Sequence, residues 1–139
     1  MEDVQVVAGQ PPAEDRGVLV EALLAYNRQA TGIEQDEEFS TFIHDDAGAL
    51  VAGMYGWVFG GAAEIALLWV REDRRGGGLG SRLLNAAEDY ARRAGCDQMV
   101  IRTHSFQAPG FYHAHGYEDV GSIQDYPRGH GYLLLRKAL

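Results

Sequence analysis

Residues 67–84 read LLWVREDRRGGGLGSRLL, and the fold follows from how this stretch changes character. Leu67-Leu68-Trp69-Val70 is an apolar run of the kind that forms a buried strand. The chain then turns polar through Arg71, Arg74 and Arg75, and runs through Gly76-Gly77-Gly78-Leu79-Gly80. From Leu79 onward, Leu83, Leu84, Ala87, Tyr90, Ala91 and Ala94 keep helical spacing, while Arg82, Asn85, Glu88, Asp89, Arg92 and Arg93 take the other face. A strand, a glycine-rich turn and a helix start make an anion site, because unbonded backbone N–H groups and the helix dipole point at the turn. The residues alone also suit a flexible turn with incidental arginines.

The rest of the composition sharpens this contrast. The chain has 139 residues and a formal net charge of -8, which disfavours nucleic acid and anionic membrane as general partners. Against that background, four of its twelve Lys and Arg residues fall within residues 71–82. The single cysteine, Cys96, permits no intrachain disulfide and no cysteine-rich zinc site, and reads as a small buried hydrophobe. No apolar run approaches the ~20 residues a membrane helix needs. The N-terminus has no signal-peptide pattern, so a cytoplasmic setting is expected.

Working outward, residues 4–8 are short and β-branched and predict an opening strand. Pro12 followed by acids predicts a helix start, with an apolar stripe through Val18, Leu19, Leu23, Leu24 and Tyr26 that ends near Gly32. Residues 33–38 read as an acidic loop. Strands are expected over residues 39–44, 49–59 and 63–70, joined by turns at Asp45-Asp46-Ala47-Gly48 and Gly60-Gly61. After the helix, which Gly95 ends, residues 99–103 form a strand parallel to the one ending at Val70. A short helix begins at Pro109 and stops at Gly116, and two last strands cover residues 117–123 and 132–135. The whole chain, 1–139, reads as one α+β domain with a mostly antiparallel sheet and one parallel crossover.

Two familiar phosphate motifs fail on residues. A P-loop needs Lys-Ser/Thr after its last glycine, where this chain has Ser81-Arg82. The dinucleotide fingerprint needs a third glycine where this chain has Ser81 or Leu83. What remains is Arg75-Gly76-Gly77-Gly78-Leu79-Gly80, or Arg-x-x-Gly-x-Gly. About thirty residues later comes Ala108-Pro109-Gly110-Phe111-Tyr112-His113-Ala114-His115-Gly116-Tyr117, or Ala-x-x-Phe-Tyr-x-x-x-Gly-Tyr. The two motifs at this spacing, with the order of elements, resemble the GNAT superfamily of acyl-CoA-dependent N-acyltransferases. The tail from Asp125 to Leu139 resembles one bacterial subgroup of small GNAT proteins.

The resemblance implies a sheet of about six to seven strands flanked by helices, with a splayed parallel pair in its middle. It implies acetyl-CoA as co-substrate, with its pyrophosphate on Arg75, Gly76, Gly78, Leu79, Gly80 and Ser81. Leu68 and Val70 would offer backbone groups to the pantetheine arm. Tyr112 matches the family tyrosine that protonates the departing thiolate, and a phenol of pKa ~10 carries that proton at neutral pH. Its alternative is a core aromatic beside Phe111. Where the family often has Asn, Gln107 or Ser105 must stand in.

The general base is less determined. Glu64 lies on the strand before the glycine turn, and strand alternation would put it on one face with Ala66, Leu68 and Val70. The related subgroup would carry an acid near Ala66, where this chain has none. His104, at the end of the parallel strand, is a second candidate. His113 and His115 are expected to face solvent, and His44 to end a strand. No histidine spacing suggests a metal. Tyr55, Trp57 and Tyr126 either line an acceptor pocket or are core and edge aromatics. The function expected is transfer of acetyl to a primary amine of a small molecule by direct attack. The alternatives are a non-catalytic acyl-CoA-binding regulatory module and an acetyltransferase acting on protein N-termini or lysines. The resemblance also raises a homodimer through the last strands.

Overall fold

The structure, a computed structural model, describes residues 4–10 and 12–139. These fall into two compact units, one ending at Glu34 and the other spanning Gln35–Leu139. In the first, helix α1 (Ala13–Thr31) follows Pro12, whose fixed φ of -64° leads into the first turn. Glu14 and Asp15 sit in the first turn and Arg28 in the last, as the helix dipole favours. Gly32 stops it at φ 69°, its N–H donating to the Arg28 carbonyl at 2.8 Å. Residues 4–8 carry no strand, contrary to the reading of their β-branched run. A strand exists only through a ladder, and all six strands of the sheet lie beyond residue 35.

The second unit holds β1 (Asp36–His44), β2 (Leu50–Phe59), β3 (Ala62–Val70), α2 (Leu79–Arg93), β4 (Gln98–His104), α3 (Pro109–Ala114), β5 (Glu118–Gln124) and β6 (Gly131–Ala138). The strands form one sheet in the order β1-β2-β3-β4-β6-β5, antiparallel everywhere except between β3 and β4. The acidic stretch expected as loop begins β1 instead: Asp36, Glu37 and Glu38 pair with Phe59, Val58 and Trp57. Backbone pairing with β2 decides there, because side chains on an edge strand can face water. The turn after β1 is the expected one. Asp45 accepts from the Ala47 and Ala49 amides at 3.0 and 2.9 Å, and Gly48 takes φ 85°.

The core lies between one face of this sheet and α2. Leu83, Leu84, Ala87 and Ala91 of α2 meet Ala52, Met54 and Val58 of β2, Ile65 of β3, Met99 and Ile101 of β4, and Leu135 of β6. Each fully buried leucine there contributes roughly 1.5–3 kcal/mol. Glu88, expected on the polar face of α2, is only 3 % exposed. Its Oε1 accepts from Lys137 Nζ at 2.6 Å, which ties α2 to β6. The hydroxyl of buried Tyr117 has no hydrogen-bond partner, and burial first, then the Glu88 carboxylate, push its pKa up. Asp89 accepts from Arg92 Nη1 at 3.3 Å, one turn along the same helix.

Two features of β3 shape the region around its C-terminal end. The parallel ladder with β4 runs only from Ala62↔Gln98 to Ile65↔Ile101, and the strands part beyond it. On the other side, Tyr55 pairs with Leu67 and Gly56 with Ile65, so Ala66 is an unpaired bulge. The bulge inverts the alternation of the strand. Ala63 and Ile65 are buried in the core before it, and Leu68 and Val70 pack on that core after it. Glu64 therefore faces away from α2, opposite to Leu68 and Val70 and not beside them as simple alternation implied. Gly56 lies so close beneath the Glu64 carbonyl that a Cβ there has no room.

Candidate functional site

A cavity of about 670 Å³ opens where β3 and β4 part. Its floor and walls come from the end of β3 (Leu68, Trp69, Val70), the turn and first residues of α2 (Arg74, Arg75, Gly76, Gly78, Leu79, Gly80, Ser81), and the segment leading into α3 (Phe106, Gln107, Ala108, Phe111, Tyr112). A smaller cavity of about 120 Å³ continues into the gap between the strands, lined by residues 65–68, Ile101, Arg102, Thr103, Gln107 and Tyr112. Leu68, Gln107 and Tyr112 border both. These residues, distant in the chain, meet because the crossover helix and α3 converge on the fork.

The turn is built to present backbone. After a single 3₁₀ turn at Glu72–Arg74, Gly76 and Gly78 take φ 81° and 84°, values that L side chains resist. The Arg82 amide donates to the Gly78 carbonyl at 3.0 Å and begins the helical ladder, so the amides of Leu79, Gly80 and Ser81 have no helical acceptor. Gly80 packs closely under α3: a Cβ there would meet the Phe111 ring at 3.3 Å.

The arginine cluster divides into two jobs. Arg71 is held by Asp73 at 2.6 Å and by Asp45 at 3.6 Å, which raises its pKa, the Asp73 hydrogen bond first, and ties the turn to the β1–β2 hairpin. Arg74 and Arg75 line the cavity. Arg75 also donates Nε–H to the Val70 carbonyl at 2.9 Å, closing the turn onto the strand end. The pyrophosphate of a coenzyme fits this cradle on its donor chemistry: free amides at a helix start, glycines that admit close approach, and two cationic side chains.

Tyr112 is 8 % exposed, between Phe111 and Tyr117 at 5.2 and 6.0 Å, and burial raises its pKa above the ordinary phenol value. Glu64 and His104 line neither cavity. Both lie on the sheet face opposite α2, where Glu64 Oε1 accepts from Arg102 Nη1 at 2.6 Å. The His104 ring stacks between Phe106 and Tyr126, at 5.2 and 5.6 Å. Its Nδ1 lies 2.9 Å from the Tyr126 carbonyl, which can only accept, so Nδ1 carries the proton and Nε2 is the free nitrogen of the neutral ring. The His104 amide donates to Gln107 Oε1 at 2.9 Å, fixing Gln107 at the fork. Tyr55 and Trp57 meet edge to face at 6.3 Å, and neither lines either of these two cavities.

His115 departs from its expected solvent-facing role. It is half-buried, beside Phe111 at 4.8 Å, with Nε2 3.0 Å from Ser81 Oγ. The helical spacing of residues 111 and 115 is the sequence signal that places it on the inner side. His113 is exposed and bonds Asp119 at 2.7 Å. Among the described residues no cluster of three His, Cys, Asp or Glu side chains could hold a metal, and no helix is long and apolar enough to cross a membrane.

Comparison with known proteins matches this geometry. The model of the acetyltransferase (GNAT) family covers residues 11–117. A blasticidin-S acetyltransferase of Streptomyces morookaense is 43% identical over 104 residues, 74% of this chain and 76% of that one. An IAA acetyltransferase of Azospirillum brasilense is 30% identical over 135 residues, 86% of this chain and 88% of its own. The crystal structure of an acetyltransferase from Bacillus cereus aligns at TM-score 0.80 with 30% identity, covering 96% of this chain and 98% of that chain. The six-stranded mixed sheet, its parted parallel pair and the sequence match agree, and the chain belongs to the acetyltransferase (GNAT) family as an acetyltransferase enzyme.

Proposed function

We propose that this acetyltransferase moves the acetyl group of acetyl-CoA to a primary amine of a small molecule, by direct attack in a ternary complex. The observation that carries the reading is the cavity joining the glycine turn to Tyr112 through the fork of β3 and β4. Acetyl-CoA, when bound, supplies the activated acyl group. Arg75, Gly76, Gly78, Leu79, Gly80 and Ser81 hold its pyrophosphate, and the backbone of Leu68 and Val70, beyond the end of the parallel ladder, orients the pantetheine arm. Gln107 stands at the fork in place of the family Asn.

Tyr112 is the acid. Its raised pKa keeps the phenolic proton in place until the departing sulfur needs it. His104 is the base, drawing the ammonium proton through a water, since its ring stands off the cavity with Nε2 uncommitted. Glu64, committed to Arg102, is the alternative base. Relatives named for blasticidin-S and IAA favour a small acceptor over a protein.

The test is thiol release from acetyl-CoA against a panel of small amines, amino acids and peptides. Turnover with a small amine is the expected result. Binding of acetyl-CoA without turnover of any amine would make the protein an acyl-CoA-binding module, and turnover confined to peptides would make it a protein acetyltransferase.

A further inference from the structure

The hydrogen bond between Ser81 and His115 joins the first turn of α2 to the end of α3, 34 residues later. Ser81 lines the large cavity beside the free amides of the turn, whereas His115 does not line it. A serine hydroxyl has one hydrogen to give and can accept two. If Nε2 of His115 is bare, the Ser81 hydrogen is spent on it, and the oxygen meets the cavity with lone pairs only. If Nε2 carries a hydrogen, it donates to Ser81, and the hydroxyl hydrogen is free to turn toward an anion. The two arrangements have the same heavy-atom positions and opposite consequences for a phosphate.

We propose that His115 is a positioning residue for the coenzyme: it donates Nε2–H to Ser81 so that the Ser81 hydroxyl donates to a pyrophosphate oxygen. The inference rests on the assignment of the turn to coenzyme A. The surroundings of the ring suit the task. Phe111 holds one side of it at 4.8 Å, and the His115 amide donates to the Tyr112 carbonyl at 3.0 Å, so ring and backbone are fixed from the helix that also carries the acid. Gly80, against which Phe111 rests, is the neighbour of Ser81. Pyrophosphate site and acid thus share one small set of contacts.

The experiment measures coenzyme A affinity by calorimetry for the wild type, His115→Phe, His115→Gln and Ser81→Ala, with imidazole nitrogen shifts of His115 recorded by NMR. Phenylalanine keeps the packing and loses the donor, while glutamine returns an N–H donor at a similar reach. His115→Phe and Ser81→Ala are expected to weaken binding about tenfold, as loss of one charge-assisted hydrogen bond does. His115→Gln should stay within about threefold of wild type, and Nε2 should report a bound proton once coenzyme A is added. His115→Phe binding as well as wild type overturns the inference, as does equal weakening by Phe and Gln, or a bare Nε2 in the complex. Should His115→Phe not fold, Ser81→Ala and the Nε2 shift decide alone. A wild type that binds no coenzyme A sinks the assignment of the turn itself, an outcome distinct from all of these.

Discussion

Gly56 of β2 lies directly against the carbonyl of Glu64 on β3, closer than any side chain would permit. The contact sits beside the bulge at Ala66, where the register between the two strands shifts. Gly56→Ala would force either the bulge or the β2–β3 ladder to move. It is expected to cost about 3 kcal/mol, read as a lowered midpoint in denaturant unfolding, and to weaken coenzyme binding. An unchanged midpoint would mean that the bulge yields without cost.

Tyr112→Phe keeps the ring against Phe111 and Tyr117 and removes only the hydroxyl proposed as the acid. Under conditions where chemistry limits the rate, kcat should fall by about 100-fold, with KM for acetyl-CoA little changed. In the proposed role Tyr112 works protonated, and burial raises its pKa above the ordinary phenol value of 10.0, so that role would extend upward in pH. No loss of kcat from this group is therefore expected below about pH 10, and a Tyr112-dependent alkaline limb near neutral pH would contradict the assignment.

His104→Gln and Glu64→Gln separate the two candidate bases. With the roles proposed, His104→Gln lowers kcat about 100-fold and leaves KM for acetyl-CoA little changed. Glu64→Gln weakens its bond to Arg102 and leaves kcat within about threefold. The reverse pattern would transfer the role to Glu64.

Arg75→Ala removes both a cation from the cavity wall and the Nε–H bond to Val70. We expect KM for acetyl-CoA to rise about tenfold, with kcat within about threefold, because positioning of the handle suffers more than the chemistry. A fall in kcat at unchanged KM would place Arg75 in the reaction instead.

Lys137→Met leaves the Glu88 carboxylate buried, with Arg92 at 3.9 Å as the cation still beside it. The loss is expected to be about 3 kcal/mol in chemical denaturation. Adding Glu88→Gln should cost less than the sum of the single changes, since the second mutation removes the stranded charge. Simple additivity would show that the pair contributes no coupling.

How much of the fold is visible in the sequence depends on how local each signal is. The turn from Val70 to Gly80, the amphipathic α2 and the Pro109 helix start are written in consecutive residues, and their bounds are legible. The bulge at Ala66 is not, because it is a property of the pairing between two strands and leaves no mark in either alone. That one residue turns Glu64 to the face away from Leu68 and Val70. Residues 4–8 fail for the opposite reason: their composition favours a strand, but composition supplies no partner. Glu88 looks polar by helical position, and the Lys137 that lets it be buried lies 49 residues away. For His115, the neighbouring His113 suggests an exposed pair, while the spacing from Phe111 carries the better signal.

The bulge has a genetic corollary. Deleting the Ala66 codon would leave every other side chain of β3 on its present side, with Ala63, Ile65, Leu68 and Val70 inward and Glu64, Leu67 and Trp69 outward. Only the bulge itself would vanish, and the β2–β3 ladder would become regular. Removing Ile65 or Leu67 instead would slide Ala66 into the vacated place, with the same alternation but a methyl group where the larger side chain stood. One in-frame codon loss therefore separates packing from shape: it spares the core and straightens the strand on which the cavity depends. The fork thus borders a strand that carries one residue more than the neighbour it pairs with.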